Sequence, residues 1–240
     1  MAPSRMTALQ RTTVLTLAVL ATAIACKKSE PPAAASAPVV VVPAALTPDA
    51  PKAFGPRCVW LAFRTTSAAV VMRALALNDV APSTWIDGVK AAYAGRIFVT
   101  PPIDGWVLAA STRFPDPGDG NHPDLATPAL VRLSQAVGEV QYFGTDEDVG
   151  WQAWARFVHG APMRKLAYLA AHDLVIWADG EPSPEERKLG LLYTRKGLRE
   201  PPFPSEKNLF AIAGAWSVDP SALETRHLPP SLGLVGSGAL

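Results

Sequence analysis

Hydrophobic and polar positions alternate in four successive stretches between Glu139 and Asp179: EVQYFGTD, GWQAWARFV, MRKLAYLAA and LVIWAD. A period of two is the signature of strands. The separators Val149-Gly150, His159-Gly160-Ala161-Pro162 and His172-Asp173 are turn formers, so the pattern predicts a four-strand antiparallel meander. Trp151 and Trp154, three apart on one of these strands, must point to opposite faces.

Upstream the pattern changes character. The unbroken apolar run CVWLAF at residues 58–63 predicts a buried strand, and Thr65-Thr66-Ser67 offers N-cap hydroxyls to a helix SAAVVMRALAL ending near Asn78. Ser83-Thr84, with Asp87 in the first turn and Gly95 as the stop, brackets a second helix that carries Trp85, Val89 and Ala92 or Tyr93 on one side. Asp104-Gly105 supplies the positive φ of a hairpin turn, pairing residues 96–100 with 106–112. Thr127-Pro128 opens a further helix and Gly138 closes it. After the meander, Ser183-Pro184-Glu185-Glu186 fits a capping box for a short helix through Leu191, Ser205 caps SEKNLFAIAGAWS, and Asp219-Pro220 starts one more turn. The Gly-rich tail SLGLVGSGAL is expected to be frayed. Strands and helices each cluster along the chain, which predicts the α+β class: a largely antiparallel sheet with a C-terminal four-strand meander and helices packed on one face.

The N-terminus is patterned differently. Residues 1–25 carry Arg5 and Arg11, no acidic residue, and an apolar run of 14 residues over 12–25. A membrane-spanning helix needs about 20, so the run is read as a cleaved signal peptide and not as an anchor. Ala23-Ile24-Ala25-Cys26 resembles the lipobox of bacterial lipoproteins, departing from it at Ala23, where leucine is usual. That resemblance implies lipid on Cys26, including palmitate, and a bilayer as the first partner. Lys27 stands where a retention aspartate would be, which implies the outer membrane, facing the periplasm. Residues 26–56, with seven prolines and many alanines, predict a semi-rigid tether, leaving 57–240 as a single domain.

Composition narrows the chemistry. Removing Arg5 and Arg11 with the signal takes the 22 basic residues to 20 against 21 acidic, a formal charge of −1. A near-neutral domain has no electrostatic case for nucleic acid. Once Cys26 is acylated, Cys58 has no partner and reads as a core thiol in CVWLAF. His122, His159, His172 and His227 fall in turns or loops without metal-ligand spacing, and no cofactor fingerprint, nucleophile elbow or phosphate loop is present. No metal site is expected. The nearest approach to one is the loop oxygens of Asp116, Asp119, Asn121 and Asp124, which fail the EF-hand spacing and are ordinary turn formers. Asp146-Glu147-Asp148 reads as a solvated turn. If one sheet face stayed open, Gln152, Trp154 and Arg156 would stand together on it as a binding surface, since tryptophan and arginine are enriched at such surfaces.

The segments GWVLAASTRFPD, GEVQYFGT, WQAWARF and GEPSPEERKLG, spread from Trp85 to Trp216, resemble a family of exported bacterial proteins that includes lipoproteins and has no function attached. The resemblance implies one coherent domain and carries no catalytic residue with it. Together these features predict a membrane-tethered protein of the bacterial cell envelope with a non-enzymatic domain. It would bind a protein or envelope component through an open sheet face or the loop 113–124, in its narrowest form as an immunity-type inhibitor. The alternative is a hydrolase of unfamiliar pattern, with the carboxylates or His122 of that loop in a cleft at the end of the sheet.

Overall fold

The computed structural model describes residues 46–119, 121–194 and 202–238, which belong to one compact unit. Its frame is a nine-stranded antiparallel sheet in the order β2-β9-β3-β4-β1-β5-β6-β7-β8. The strands are β1 (Cys58–Phe63), β2 (Asn78–Ser83), β3 (Ile97–Val99), β4 (Val107–Ser111), β5 (Glu139–Asp146), β6 (Trp151–Val158), β7 (Ala161–Leu169), β8 (Leu174–Asp179) and β9 (Gly233–Ser237). The helices are α1 (Ala68–Ala74), α2 (Trp85–Tyr93), α3 (Ala126–Val137), α4 (Pro184–Lys188) and α5 (Glu206–Trp216). The α+β class and the meander β5-β6-β7-β8 are therefore present as the pattern predicts.

Helices cover both faces, not one. Cys58, Trp60 and Ala62 of β1 point into a core with Trp85 and Ala92 of α2, Leu191 after α4, and Leu209, Ile212 and Ala213 of α5. Val59, Leu61 and Phe63 point the other way, toward Val71 and Leu75 around α1 and Ala126, Leu130 and Leu133 of α3. The physical reason lies in the central strands. An antiparallel strand with one wet face alternates, whereas CVWLAF is apolar at every position and all six residues are buried, which requires a cover on each side.

Local signals place most of the helices. Thr84 accepts from Asp87 N, Ser205 from Asn208 N, and Ser183 with Glu186 forms a full capping box. α3 differs in detail: Asp124, three residues ahead of Thr127, accepts from Thr127 N at 2.8 Å, so the cap is the aspartate and not the threonine. α1 ends at Ala74, short of the expected Asn78, and the residues beyond become edge strand β2. In the two hairpins with a two-residue turn, Asp104-Gly105 and His159-Gly160, both positions take positive φ, the twist that such hairpins need.

Two expectations fail for one reason, the reach of tertiary contact. The tail is not frayed: β9 fills the gap between β2 and β3, and Gly233 lets the Phe98 ring lie where a Cβ would be 2.3 Å away. The stretch expected as tether also does not run to residue 56. Asp49 bridges to Ser231 and its carboxylate caps α2 through Trp85 N at 2.6 Å and Ile86 N at 3.0 Å, and Phe54 is buried edge-on to Trp60. Cys26 and the expected signal peptide lie outside the described residues. Among the described residues no helix is long and apolar enough to cross a membrane.

Candidate functional site

The face built by Val59, Trp151, Leu169 and Ile176 is left open beyond the reach of α3, and there a cleft of about 380 Å³ forms. Its floor exists because residue 144 is glycine. A Cβ there would sit 2.5 Å from the Trp151 ring, so Gly144 lets the indole lie over β5 against Val59. One wall is the segment after β4, supplying Thr112, Phe114, Asp116, Gly118, Asp119 and His122. The end is closed by Arg57, by Asp146 at the end of β5 and by Val149 of the β5-β6 turn.

The loop wall is held from within. Asp116 Oδ1 accepts from Gly118 N at 2.8 Å, while its carbonyl accepts from Leu125 N and Ala126 N. Tyr142 donates its hydroxyl to the Pro115 carbonyl at 3.2 Å, tying the loop to β5. Burial pushes the Tyr142 phenol well above its usual range, and the nearby carboxylates of Asp116 and Asp124 add to this. Asp119 Oδ1 accepts from His122 N at 2.8 Å, Asn121 N at 2.9 Å and His122 Nδ1 at 3.0 Å. Those bonds, led by the His122 amide, hold the Asp119 carboxyl below the usual carboxylate range.

The four oxygen-bearing residues of this loop do not form a metal cage. Asp124 turns away from the cleft: it caps α3, accepts from Trp177 Nε1 at 2.8 Å, and lies 4.0 Å from Lys165 Nζ. Asp116 and Asp119 each turn Oδ1 back to backbone amides of the loop, Asp119 also holds the His122 ring, and Asn121 is exposed. Among the described residues no group of three or more His, Cys, Asp or Glu side chains could hold an ion.

The surface expected at Gln152, Trp154 and Arg156 does share one face of β6, but that face is covered at Gln152 and Trp154, and only the Arg156 side chain keeps substantial exposure, 44%. Trp154 is fully buried and donates Nε1 to Glu186 at 3.0 Å. Arg156 is bound to Glu139 at 2.8 Å, and the buried Gln152 amide, oriented to suit its neighbours, donates to the carbonyls of Pro204 and Gly150. The cause is a charge that the pattern could not place. Glu186, with no exposure, also takes Arg164 in a two-pronged bond, Nη2 at 2.7 Å and Nε at 3.0 Å, which locks α4 over β6 and β7.

Cys58 is 2% exposed, and burial pushes its thiol up to about 12, so it is chemically quiet although the residue edges the cleft. His159 and His227 lie in a turn and a loop, and His172 ends the short 3-10 helix Ala170–His172, so the three stay apart. The residues that sequence reasoning missed are Arg57, Val59, Trp151, Leu169 and Ile176, which come from four separate segments, β1 with the residue before it, β6, β7 and β8, and meet only through strand register. The one local sign was Gly144 placed across from Ala153, two residues from Trp151.

Comparison of the chain with models of known protein families, with curated proteins and with solved structures finds no match.

Proposed function

We propose that this protein is a lipid-anchored component of the bacterial cell envelope, held through Cys26 on the periplasmic side of the outer membrane, whose domain binds a ligand in the cleft between the loop 112–122 and β6 without transforming it. The observation that carries the reading is the cleft itself. It combines an aromatic and aliphatic floor with a few convergent polar groups, at a volume within the range of small-molecule sites. Burial of Gln152 and Trp154 closes most of the other surface that the sequence suggested, while the cleft beside the loop stays open. The anchor is supported by the signal and lipobox pattern of residues 1–26.

Two experiments test the two halves. Intact mass and fractionation of the chain made with its own signal should show a diacylglyceryl-modified, membrane-bound protein, and a Cys26→Ala variant should show neither property. A small-fragment set screened by ligand-observed NMR against the full chain should yield binders that Val149→Trp, an exposed change at the cleft mouth, displaces. Binding that ignores Val149→Trp, or no binding at all, would sink the cleft reading.

One observation favours a second reading. His122 Nδ1 is held by Asp119 at 3.0 Å on the wall of the cleft, the arrangement of a general base and its orienting carboxylate. Among the described residues no hydroxyl or thiol is hydrogen-bonded to that imidazole, so the pair would have to activate water. Hydrolysis of an activated ester at a rate that His122→Ala abolishes would move the assignment to this hydrolase reading.

A further inference from the structure

We propose that the ligand of the cleft is an organic cation, an ammonium or guanidinium group carried on an apolar body. The inference rests on the binding reading above and adds the chemistry of what is bound.

The argument begins with charge. Asp116, Asp119 and Asp146 face the cleft, and Arg57 is the cation among its lining side chains, His122 apart. Arg57 is drawn to the rim by Asp148, at 2.6 Å. Asp119 has His122 beside it, but among the described residues neither Asp116 nor Asp146 is ion-paired. Each spends only Oδ1 on the chain, Asp116 accepting from Gly118 N and Asp146 from Asp148 N, which leaves Oδ2 for a ligand. The two carboxylates stand on different walls, one on the loop and one at the end of β5. A pocket with unpaired carboxylates disfavours anions and selects cations.

The floor sets the rest. Trp151 and Phe114 line the cleft together with Val59, Leu169 and Ile176. An aromatic face attracts a cation as well as an apolar body, and tryptophan does so best. The same molecule contains a filled version of this arrangement. Lys165 Nζ lies 5.0 Å from the Trp177 ring, 3.0 Å from Asp179 and 4.0 Å from Asp124. One indole and two carboxylates surround one ammonium there. The cleft repeats that inventory with Trp151, Asp116 and Asp146, while its own Arg57 pairs with Asp148.

The test uses three probes of one shape on the full chain: 2-phenylethylammonium, 2-phenylethanol and 3-phenylpropanoate, titrated by ligand-observed NMR. The amine should bind about tenfold more tightly than the alcohol, a difference of about 1.4 kcal/mol, and the acid should not bind. Asp116→Asn with Asp146→Asn keeps both Oδ1 acceptors and removes only charge, so it should bring the amine down to the affinity of the alcohol. Raising salt from about 0.02 M to about 0.5 M should shrink the amine's advantage. A capped phenylalanyl-lysine dipeptide as a fourth probe distinguishes sources. Tighter binding than the amine would place the cation on a polypeptide, and weaker binding on a free small molecule; either supports the proposal. Alcohol, amine and acid binding alike, with all three lost in Val149→Trp, would overturn the cation assignment and leave the cleft reading standing. No binding of any probe or fragment would overturn both.

Discussion

Trp154 and Trp151 stand three positions apart on the same strand and meet opposite fates. Trp154 has no exposure and its indole N–H is committed to Glu186, which also holds Arg164 and the Ser183 amide. Trp151 is half-buried, lying over Gly144 as the floor of a cleft. What separates them is cover. On the Trp154 face a capping box starts α4 at a point where its third residue can reach across to two strands, so one carboxylate caps the start of a helix and pairs a buried arginine. On the Trp151 face α3 packs over Leu61, Val140 and Tyr142, and the loop ahead of it curls back on itself, leaving the strand ends bare. A buried tryptophan with its N–H satisfied is a fastener, and one with an open face above it is available to a ligand.

Removing the fastener should have the largest effect. Glu186→Ala would leave the Arg164 guanidinium, 3% exposed, without its partner, together with the Trp154 and Ser183 N–H groups. Breaking a buried pair from one side costs about 3–5 kcal/mol, to be read as a loss in urea-unfolding free energy. Replacing both charges, Glu186→Gln with Arg164→Met, should restore part of that loss, and no recovery would show that the carboxylate matters for capping alone. Trp151→Ala, in contrast, removes a ring with one open side and should cost about 1–2 kcal/mol in the same measurement, less than a fully buried aromatic. The same change should abolish the binding of cleft fragments. Equal destabilisation by Trp151→Ala and Trp154→Ala would erase the distinction drawn between the two faces.

The pattern put Trp154 on a face that could stay open, whereas it is the fully buried member of this pair, for a definable reason. Period two states which residues share a face, and it placed Gln152, Trp154 and Arg156 together correctly. It does not state which face is covered. That information was present in β1 and β4, where CVWLAF and VLAAS leave no wet side, and a continuous apolar run in an antiparallel sheet implies two covers. Turns and caps were legible because they are local: Asp104-Gly105, Thr84 with Asp87, and Ser183 with Glu186 each lie within four residues. The docking of Asp49 on α2 and the insertion of β9 beside Phe98 were not, because both depend on partners far along the chain. The cleft falls in the same category. Its loop wall could be read as a candidate, but its floor required the register that sets Gly144 beside Trp151.

The smallest effect tests on which side of the sheet the β1 thiol lies. Cys58 sits at the end of β1 with its side chain in the core that holds Trp60 and Trp154, and its thiol is raised from the ordinary 9.0 to about 12, chiefly by desolvation. A thiol that ionises later when folded binds its proton more tightly in the native state than in the unfolded chain. Its contribution to stability is therefore complete below pH 9.0 and is lost as the pH rises toward about 12. The decline should approach at most about 1.4 kcal/mol per pH unit inside that window. Tyr142 and Tyr193 are also raised by burial and steepen the fall above their ordinary 10.0, so the cysteine's share is best isolated between about pH 8.5 and about pH 10. There Cys58→Ala should lose stability with pH more slowly than the parent chain, even though it starts lower for want of the buried sulfur. Parallel curves in urea unfolding would mean that the thiol ionises alike in both states. Cys58 would then face the water of the cleft, on the side of Trp151.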